Sequence, residues 1–203
     1  MKLVKICGLT KEEEAAYVNE AGADFAGMVL FVPKSKRNIS VEQAKTIIRR
    51  LEKRVKSVAV TISPTAQQLS EIQQAGFDYV QVHGELEEAL LNSLNIPVIK
   101  AFNVSDLSQY QRFRDNPHVA GYVFDAQVPG SGKTFDWSTL TALPRDDKFA
   151  LLAGGLNPDN VAEALSATGL SGADTSSGVE NSDGNGKSRE KIKEFVKRVK
   201  TCV

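Results

Sequence analysis

The chain is poor in the residues that mark metal, disulfide, membrane or nucleic-acid proteins. It holds two cysteines in 203 residues, one near each end. That is no disulfide framework, and it suits a reducing compartment. It holds two histidines, and no His/Cys/Asp cluster has metal-ligand spacing, so no metal is expected. Neither sign of charge dominates: 25 Lys and Arg stand against 25 Asp and Glu, which leaves no electrostatic footprint for nucleic acid. No run approaches the roughly 20 apolar residues of a membrane span. The chain opens directly on a strand pattern, so no secretory leader is expected and the expected location is cytoplasmic. Gly-x-Gly-x-x-Gly is missing after the first strand, which argues against an open dinucleotide-binding sheet. Linkers and low-complexity segments are missing too, so residues 1–203 are expected to form one domain.

What is present is an alternation. Eight β-rich apolar runs stand at Leu3–Ile6, Phe25–Phe31, Val55–Ile62, Tyr79–Val82, Pro97–Phe102, Val119–Phe124, Phe149–Ala153 and Leu170–Thr175. Near-continuous apolar runs are what strands buried on both faces show. Between them lie helix patterns at Lys11–Ala21, Val41–Leu51, Ala66–Ala75, Glu85–Leu94, Asp106–Asp115, Trp137–Leu143, Pro158–Ala167 and Ser188–Thr201. Thr10 with Glu13 fits a capping box, Ser40 an N-cap, and Gly76 a C′ glycine. Strict alternation predicts parallel strands with right-handed crossovers. Eight units without a composition break predict a closed (βα)8 barrel of the α/β class, near the short end of its size range.

In such a barrel the chemistry sits at the carboxyl ends of the strands. Cys7 ends the first strand and faces a Gly8 turn. Arg37 lies in the loop after the second, beside Lys34 and Lys36; its planar fork suits a carboxylate or phosphate. His83 ends the fourth, as a structural or a functional residue. Asp125 closes the sixth, where partial desolvation would favour the acid form that a general acid needs; a capping role is the alternative. Gly154-Gly155 and Ser177-Gly178 are turns after the last two strands, where backbone N–H groups can take a phosphate. Val179-Glu180-Asn181 reads as a short extra helix there. Gly130-Ser131-Gly132-Lys133-Thr134 resembles the end of a P-loop, but Gln127 stands where the first glycine belongs, and a strand-six loop folding over the site is the better reading. His118 follows Asn116-Pro117 and reads as exposed. The lysines of the last helix region, Lys187, Lys191, Lys193, Lys197 and Lys200, read as a solvated face opposite Ile192, Phe195, Val196 and Val199.

Seven motifs in order carry a resemblance over nearly the full length. They are Lys5-Ile6-Cys7-Gly8-Leu9-Thr10, Ser35-Lys36-Arg37, Val80-Gln81-Val82-His83-Gly84, Phe124-Asp125, Gly130 to Trp137, Leu152 to Val161, and Asp174-Thr175-Ser176-Ser177-Gly178-Val179-Glu180. The chain resembles the phosphoribosylanthranilate isomerases of tryptophan biosynthesis. The resemblance implies a TIM barrel without cofactor or metal. It implies an Amadori rearrangement of N-(5-phosphoribosyl)anthranilate, with Cys7 as general base and Asp125 as general acid. Arg37 would bind the anthranilate carboxylate, and His83 and Asp174 would also face the substrate. Gly154, Gly155, Ser177 and Gly178 would hold the phosphate. The expected partner is this small molecule, with no nucleic acid or membrane, in a monomer or homodimer. The alternatives are another sugar-phosphate barrel enzyme, for which Lys100 could supply a strand-end lysine, and a non-catalytic phosphosugar-binding barrel. Three departures from the family pattern stand out: Lys36 for a common proline, Thr61 for a common phenylalanine, expected to reshape the strand-three end around the ligand, and an extra residue in Asp183 to Ser188.

Overall fold

The computed structural model describes residues 1–125, 140 and 146–202. Eight parallel strands close into a barrel in chain order. They are β1 (Leu3–Cys7), β2 (Phe25–Val29), β3 (Lys56–Ile62), β4 (Tyr79–His83), β5 (Val98–Asn103), β6 (Val119–Asp125), β7 (Phe149–Leu152) and β8 (Gly172–Thr175). Around them, among the described residues, run α1 (Glu13–Ala21), α2 (Val41–Ile48), α3 (Ala66–Gln74), α4 (Glu88–Asn92), α5 (Tyr110–Arg114), α6 (Val161–Thr168) and α7 (Arg189–Lys200). None of these helices is long and apolar enough to cross a membrane.

The strands are apolar on both faces because each face has a partner. Val58 and Val60 of β3 pack in the barrel centre, while Ala59 packs outward under the helices. Burying a valine-sized side chain contributes about 1.5–3 kcal/mol, so slippage by one residue is strongly opposed. β1 alternates in the same way. Val4 and Ile6 face the helices, and Leu3 and Cys7 face the centre. At the amino ends of β2, β4 and β7, the rings of Phe25, Tyr79 and Phe149 pack with centroids 5.4–6.5 Å apart. These aromatics form a floor, and the polar residues of the interior collect above it.

Helix starts follow local chemistry. Ser40 accepts from the Gln43 N–H at 3.1 Å, and Gly76 adopts φ 83° just past α3. The expected box between Thr10 and Glu13 does not form. Glu14 takes that place: its Oε2 accepts from the N–H groups of Thr10 (2.6 Å) and Lys11 (3.1 Å). Its Oε1 accepts from the Lys187 N–H at 2.7 Å, so a buried carboxylate ties the β1–α1 turn to the loop before α7. The helix expected over Asp106–Asp115 is a 3-10 segment, Val104–Gln109, followed by the single turn of α5. The short helix expected at Val179–Asn181 is a 3-10 turn at Ser177–Val179. The expected Trp137–Leu143 helix and the Gly130–Thr134 loop lie outside the described residues.

Two side-chain expectations are corrected by burial. Lys187 is 3% exposed and points inward, because the Glu180 carboxylate and the carbonyl and hydroxyl of Ser176 wait there. Thr61 is fully buried and, by alternation with the inward Val60, faces the helix layer, so it does not shape the barrel mouth.

Candidate active site

Cys7, His83 and Asp125 are the last residues of β1, β4 and β6. Asp174 is in β8, and Arg37 is in the β2–α2 loop. The Gly154-Gly155 turn follows β7, and Ser177-Gly178 follows β8. All the candidate residues therefore gather at the carboxyl ends, around one mouth.

The strand register explains the surroundings of the thiol. Cys7 is level with Gly27 of β2. A Cβ at Gly27 would stand 3.1 Å from Cys7 Sγ and 3.1 Å from Lys5 Nζ. The sulfur and the ammonium thus share the space that this glycine leaves open. Lys5 is fully buried, and its Nζ donates to Asp174 Oδ2 at 2.9 Å. Asp174 Oδ1 has no partner among the described residues. Breaking such a buried pair by removing one member costs about 3–5 kcal/mol.

These charges act on the sulfur in opposite directions. Burial pushes the Cys7 thiol above its ordinary pKa; Lys5 opposes that, Asp174 adds to it, and Lys187 opposes it. Burial also works against the Lys5 ammonium, but Asp174 and Cys7 outweigh it, so Lys5 holds its proton more tightly than an ordinary lysine. The result is a thiol with a permanent cation beside it.

His83 is a neutral ring. Burial, with the charges of Lys5 and Lys100, pushes its pKa down to about 3. Its Nε2 lies 2.9 Å from Gln81 Nε2. The amide nitrogen is the donor there, so the ring proton sits on Nδ1. Gln81 Oε1 is buried without a partner among the described residues. Lys100 lies elsewhere. Its Nζ is over the rings of Phe102 and Phe113, 4.8 and 5.2 Å from their centroids, in the layer between strand and helix. It therefore does not supply a strand-end lysine at the mouth.

Arg37 leans across the β1–α1 turn. A Cβ at Gly8, whose φ is 77°, would stand 2.5 Å from Arg37 Cδ and 2.9 Å from Ser176 Oγ. Only glycine lets the arginine stem pass there. Arg37 Nε donates to Glu180 Oε1 at 2.6 Å. Lys187 Nζ donates to Ser176 O (2.9 Å) and Ser176 Oγ (3.1 Å).

The two glycine turns touch. Gly154 and Gly155 have φ of 92° and 66°, a region that side chains with a Cβ rarely adopt. Gly178 packs so closely on the Leu156 carbonyl that any Cβ would collide with it. Thr175 Oγ1 donates to that carbonyl at 2.6 Å. Among the described residues, the N–H groups of Gly155, Ser177 and Gly178 donate to no protein acceptor. Such a nest of free N–H groups takes an anion. No cluster of His, Cys, Asp and Glu among the described residues could hold a metal ion.

The residue order assigns no role at the site to Lys5, Gly27, Glu180 or Lys187. Lys5 had a signal: a lysine on the inward face of an apolar strand needs a buried anion. The others had none, because their roles depend on which strands become neighbours.

The family model for N-(5'phosphoribosyl)anthranilate (PRA) isomerase matches residues 4–198. The chain is 40% identical over 202 residues to N-(5'-phosphoribosyl)anthranilate isomerase of Streptococcus gordonii, covering 98% of each. Its structure is similar to that of phosphoribosyl anthranilate isomerase from Thermotoga maritima, with TM-score 0.87 and 38% identity, over 98% of this chain and 99% of that one. It is also similar, with TM-score 0.84 and 35% identity over 98% and 99%, to a phosphoribosyl anthranilate isomerase in complex with reduced 1-(o-carboxyphenylamino)-1-deoxyribulose 5-phosphate.

Proposed function

Because the chain belongs to the N-(5'-phosphoribosyl)anthranilate isomerase family, we propose that Cys7 is the general base and Asp125 the general acid of its reaction. The enzyme converts N-(5-phosphoribosyl)anthranilate to 1-(2-carboxyphenylamino)-1-deoxyribulose 5-phosphate, an Amadori rearrangement of an aldose amine to a ketose amine. The observation that carries the assignment is the shared niche over Gly27, which sets the Cys7 sulfur beside the Lys5 ammonium.

Asp125 gives its proton to the furanose ring oxygen as the ring opens. The anthranilate nitrogen becomes a protonated Schiff base, which acidifies the proton on the sugar C2. Cys7, as thiolate, takes that proton and leaves an enolamine. The Asp125 carboxylate then takes back the enol hydroxyl proton and the Cys7 thiol gives its proton to C1, which yields the ketose and restores both groups. Each acid/base role supplies about 10²–10⁴ in rate.

The remaining groups bind and orient. Lys5 stabilises the thiolate electrostatically, which a half-buried sulfur needs because desolvation disfavours its charged form. Asp174 Oδ1 faces the sugar as an acceptor. His83, neutral with its proton on Nδ1, donates without adding charge. The Arg37 fork takes the anthranilate carboxylate, and the N–H groups of Gly154, Gly155, Ser177 and Gly178 take the phosphate.

The test is a fluorescence time course with phosphoribosylanthranilate generated in situ. The purified chain is expected to abolish the substrate signal at a rate proportional to its concentration. An undiminished signal with folded protein is the outcome against the assignment.

A further inference from the structure

We propose that Glu180 is a positioning residue that aims the Arg37 guanidinium and so sets selectivity for a carboxylate-bearing aromatic amine. The proposal rests on the reading of Arg37 as the carboxylate clamp. Glu180 stands directly after the phosphate turn at Ser177–Val179, and its backbone is held on several sides. Its N–H donates to Ser177 O at 3.2 Å, its main chain bridges to Lys187, and its carbonyl accepts from Lys191 Nζ at 2.9 Å. A carboxylate on so fixed a backbone is a fixed anchor.

From there it reaches the β2–α2 loop, 143 residues away in sequence. Oε1 accepts from Arg37 Nε at 2.6 Å, and Oε2 accepts from Lys36 Nζ at 2.8 Å. Lys187 Nζ adds a third cation, 3.5 Å from Oε1. Burial alone would raise the Glu180 carboxyl; the hydrogen bonds from Lys36 and Arg37 and the charge of Lys187 outweigh it and hold it down to about 2. The anchor is therefore ionised throughout the working range.

Three consequences follow for the arginine. Its Nε edge is occupied, while its Nη groups donate to no acceptor among the described residues. Its stem is confined between Glu180 and the Gly8 turn, so the rotamer freedom that binding would otherwise remove is already lost. One carboxylate faces three cations, so positive charge is left over for an incoming anion. Lys36 gives the loop a second tie to the same carboxylate. The phosphate turn and the carboxylate clamp thus share one support, which fixes the distance between the two anions that the site accepts.

The experiment compares two inhibitors, an N-(2-carboxyphenyl) amino-deoxyribulose phosphate reduced at C2 and its phenyl counterpart without the carboxylate. Binding and steady-state kinetics are measured for wild type, Glu180→Gln, Arg37→Ala and the double variant. Glu180→Gln is expected to weaken the carboxylate-bearing inhibitor about tenfold, to change the phenyl counterpart less than about twofold, and to raise KM with kcat within about threefold. In the Arg37→Ala background it is expected to add less than about twofold, since the two act as one unit. Glu180→Asp keeps the charge but withdraws it by one methylene, and is expected to give the same selective loss. Equal weakening of both inhibitors, or a full effect without Arg37, assigns Glu180 a general structural role and overturns the proposal. If Arg37→Ala is selective and neither Glu180 variant is, Glu180 alone is wrong. If Arg37→Ala itself spares the selectivity, the clamp reading fails and takes the proposal with it.

Discussion

Gly27→Ala is the smallest change that should damage the chemistry without damaging the fold. Gly27 is not among the glycines with positive φ, so alanine suits its backbone. The added methyl would stand 3.1 Å from Cys7 Sγ, 3.1 Å from Lys5 Nζ and 3.2 Å from Cys7 Cα. Ordinary contacts of this kind lie at about 3.5–4.0 Å, so each is short by roughly 0.5 Å. Lys5 is held by Asp174 and Cys7 Cα belongs to the neighbouring strand, so the sulfur must yield. Catalytic groups need to be placed within about 0.5 Å, and a displacement of about 1 Å can cost 10²-fold. The predicted loss in kcat is therefore about tenfold or more. KM should change little, because the thiolate acts in the transition state and not in substrate binding. Overpacking should cost about 1–3 kcal/mol, about 2–4 °C of Tm per kcal/mol in a chain of this size. The assay is the fluorescence time course together with thermal unfolding by circular dichroism. A folded variant with kcat within about twofold of wild type would refute the placement of Cys7 and Lys5 around this glycine.

Other perturbations probe the remaining parts. In a Cys202→Ser background, Lys5→Met removes the cation that most opposes the raised Cys7 pKa. Activity near pH 7 should fall about tenfold for each unit of further rise in the thiol pKa and recover as pH increases. Alkylation of Cys7 by iodoacetamide should move alkaline in parallel, and an unchanged pH profile would remove Lys5 from the account. Gly178→Ala puts a methyl against the Leu156 carbonyl and should force the two phosphate turns apart. Inhibition by ribose 5-phosphate should weaken about tenfold, and unchanged inhibition would place the phosphate elsewhere. His83 has a pKa of about 3 in the fold against an ordinary 6.5, so on acidification the unfolded chain takes the proton first. Its contribution to stability is full above pH 6.5 and is lost as pH falls toward 3, by about 1–2 kcal/mol at pH 5. His83→Gln should flatten the change in Tm between pH 6.5 and 5, and an equal slope in both proteins would mean that the fold does not hold His83 as a neutral ring.

The strands were legible because a barrel strand is buried on both faces and writes that into nearly every residue. Val58 to Val60 and Val119 to Phe124 leave no other reading. The positions of Cys7, Asp125 and the glycine turns were legible as strand ends, where polar residues interrupt those runs. The supporting charges were harder. Lys5 could have been read from the alternation in β1, since the inward face of an apolar strand holds a lysine only with an anion opposite. Lys187 reads as solvated beside the helix lysines, yet it precedes α7 and is buried. Glu180 gives no local signal at all. Its pairing with Arg37 spans 143 residues and exists only because closure sets β8 beside β1, with β2 on the far side of β1. The start of α1 depends on distant structure in the same way: Glu14 rather than Glu13 closes the turn, and it also satisfies the Lys187 N–H of a distant loop.

The acid/base roles of Cys7 and Asp125 are tested most directly by the turnover of Cys7→Ala and Asp125→Asn beside wild type, each checked for folding by circular dichroism. Phosphoribosylanthranilate fluorescence is expected to fall rapidly with wild type and more slowly, by about 10² or more, with each variant. A folded variant that turns over at a near-normal rate would contradict the role assigned to that residue.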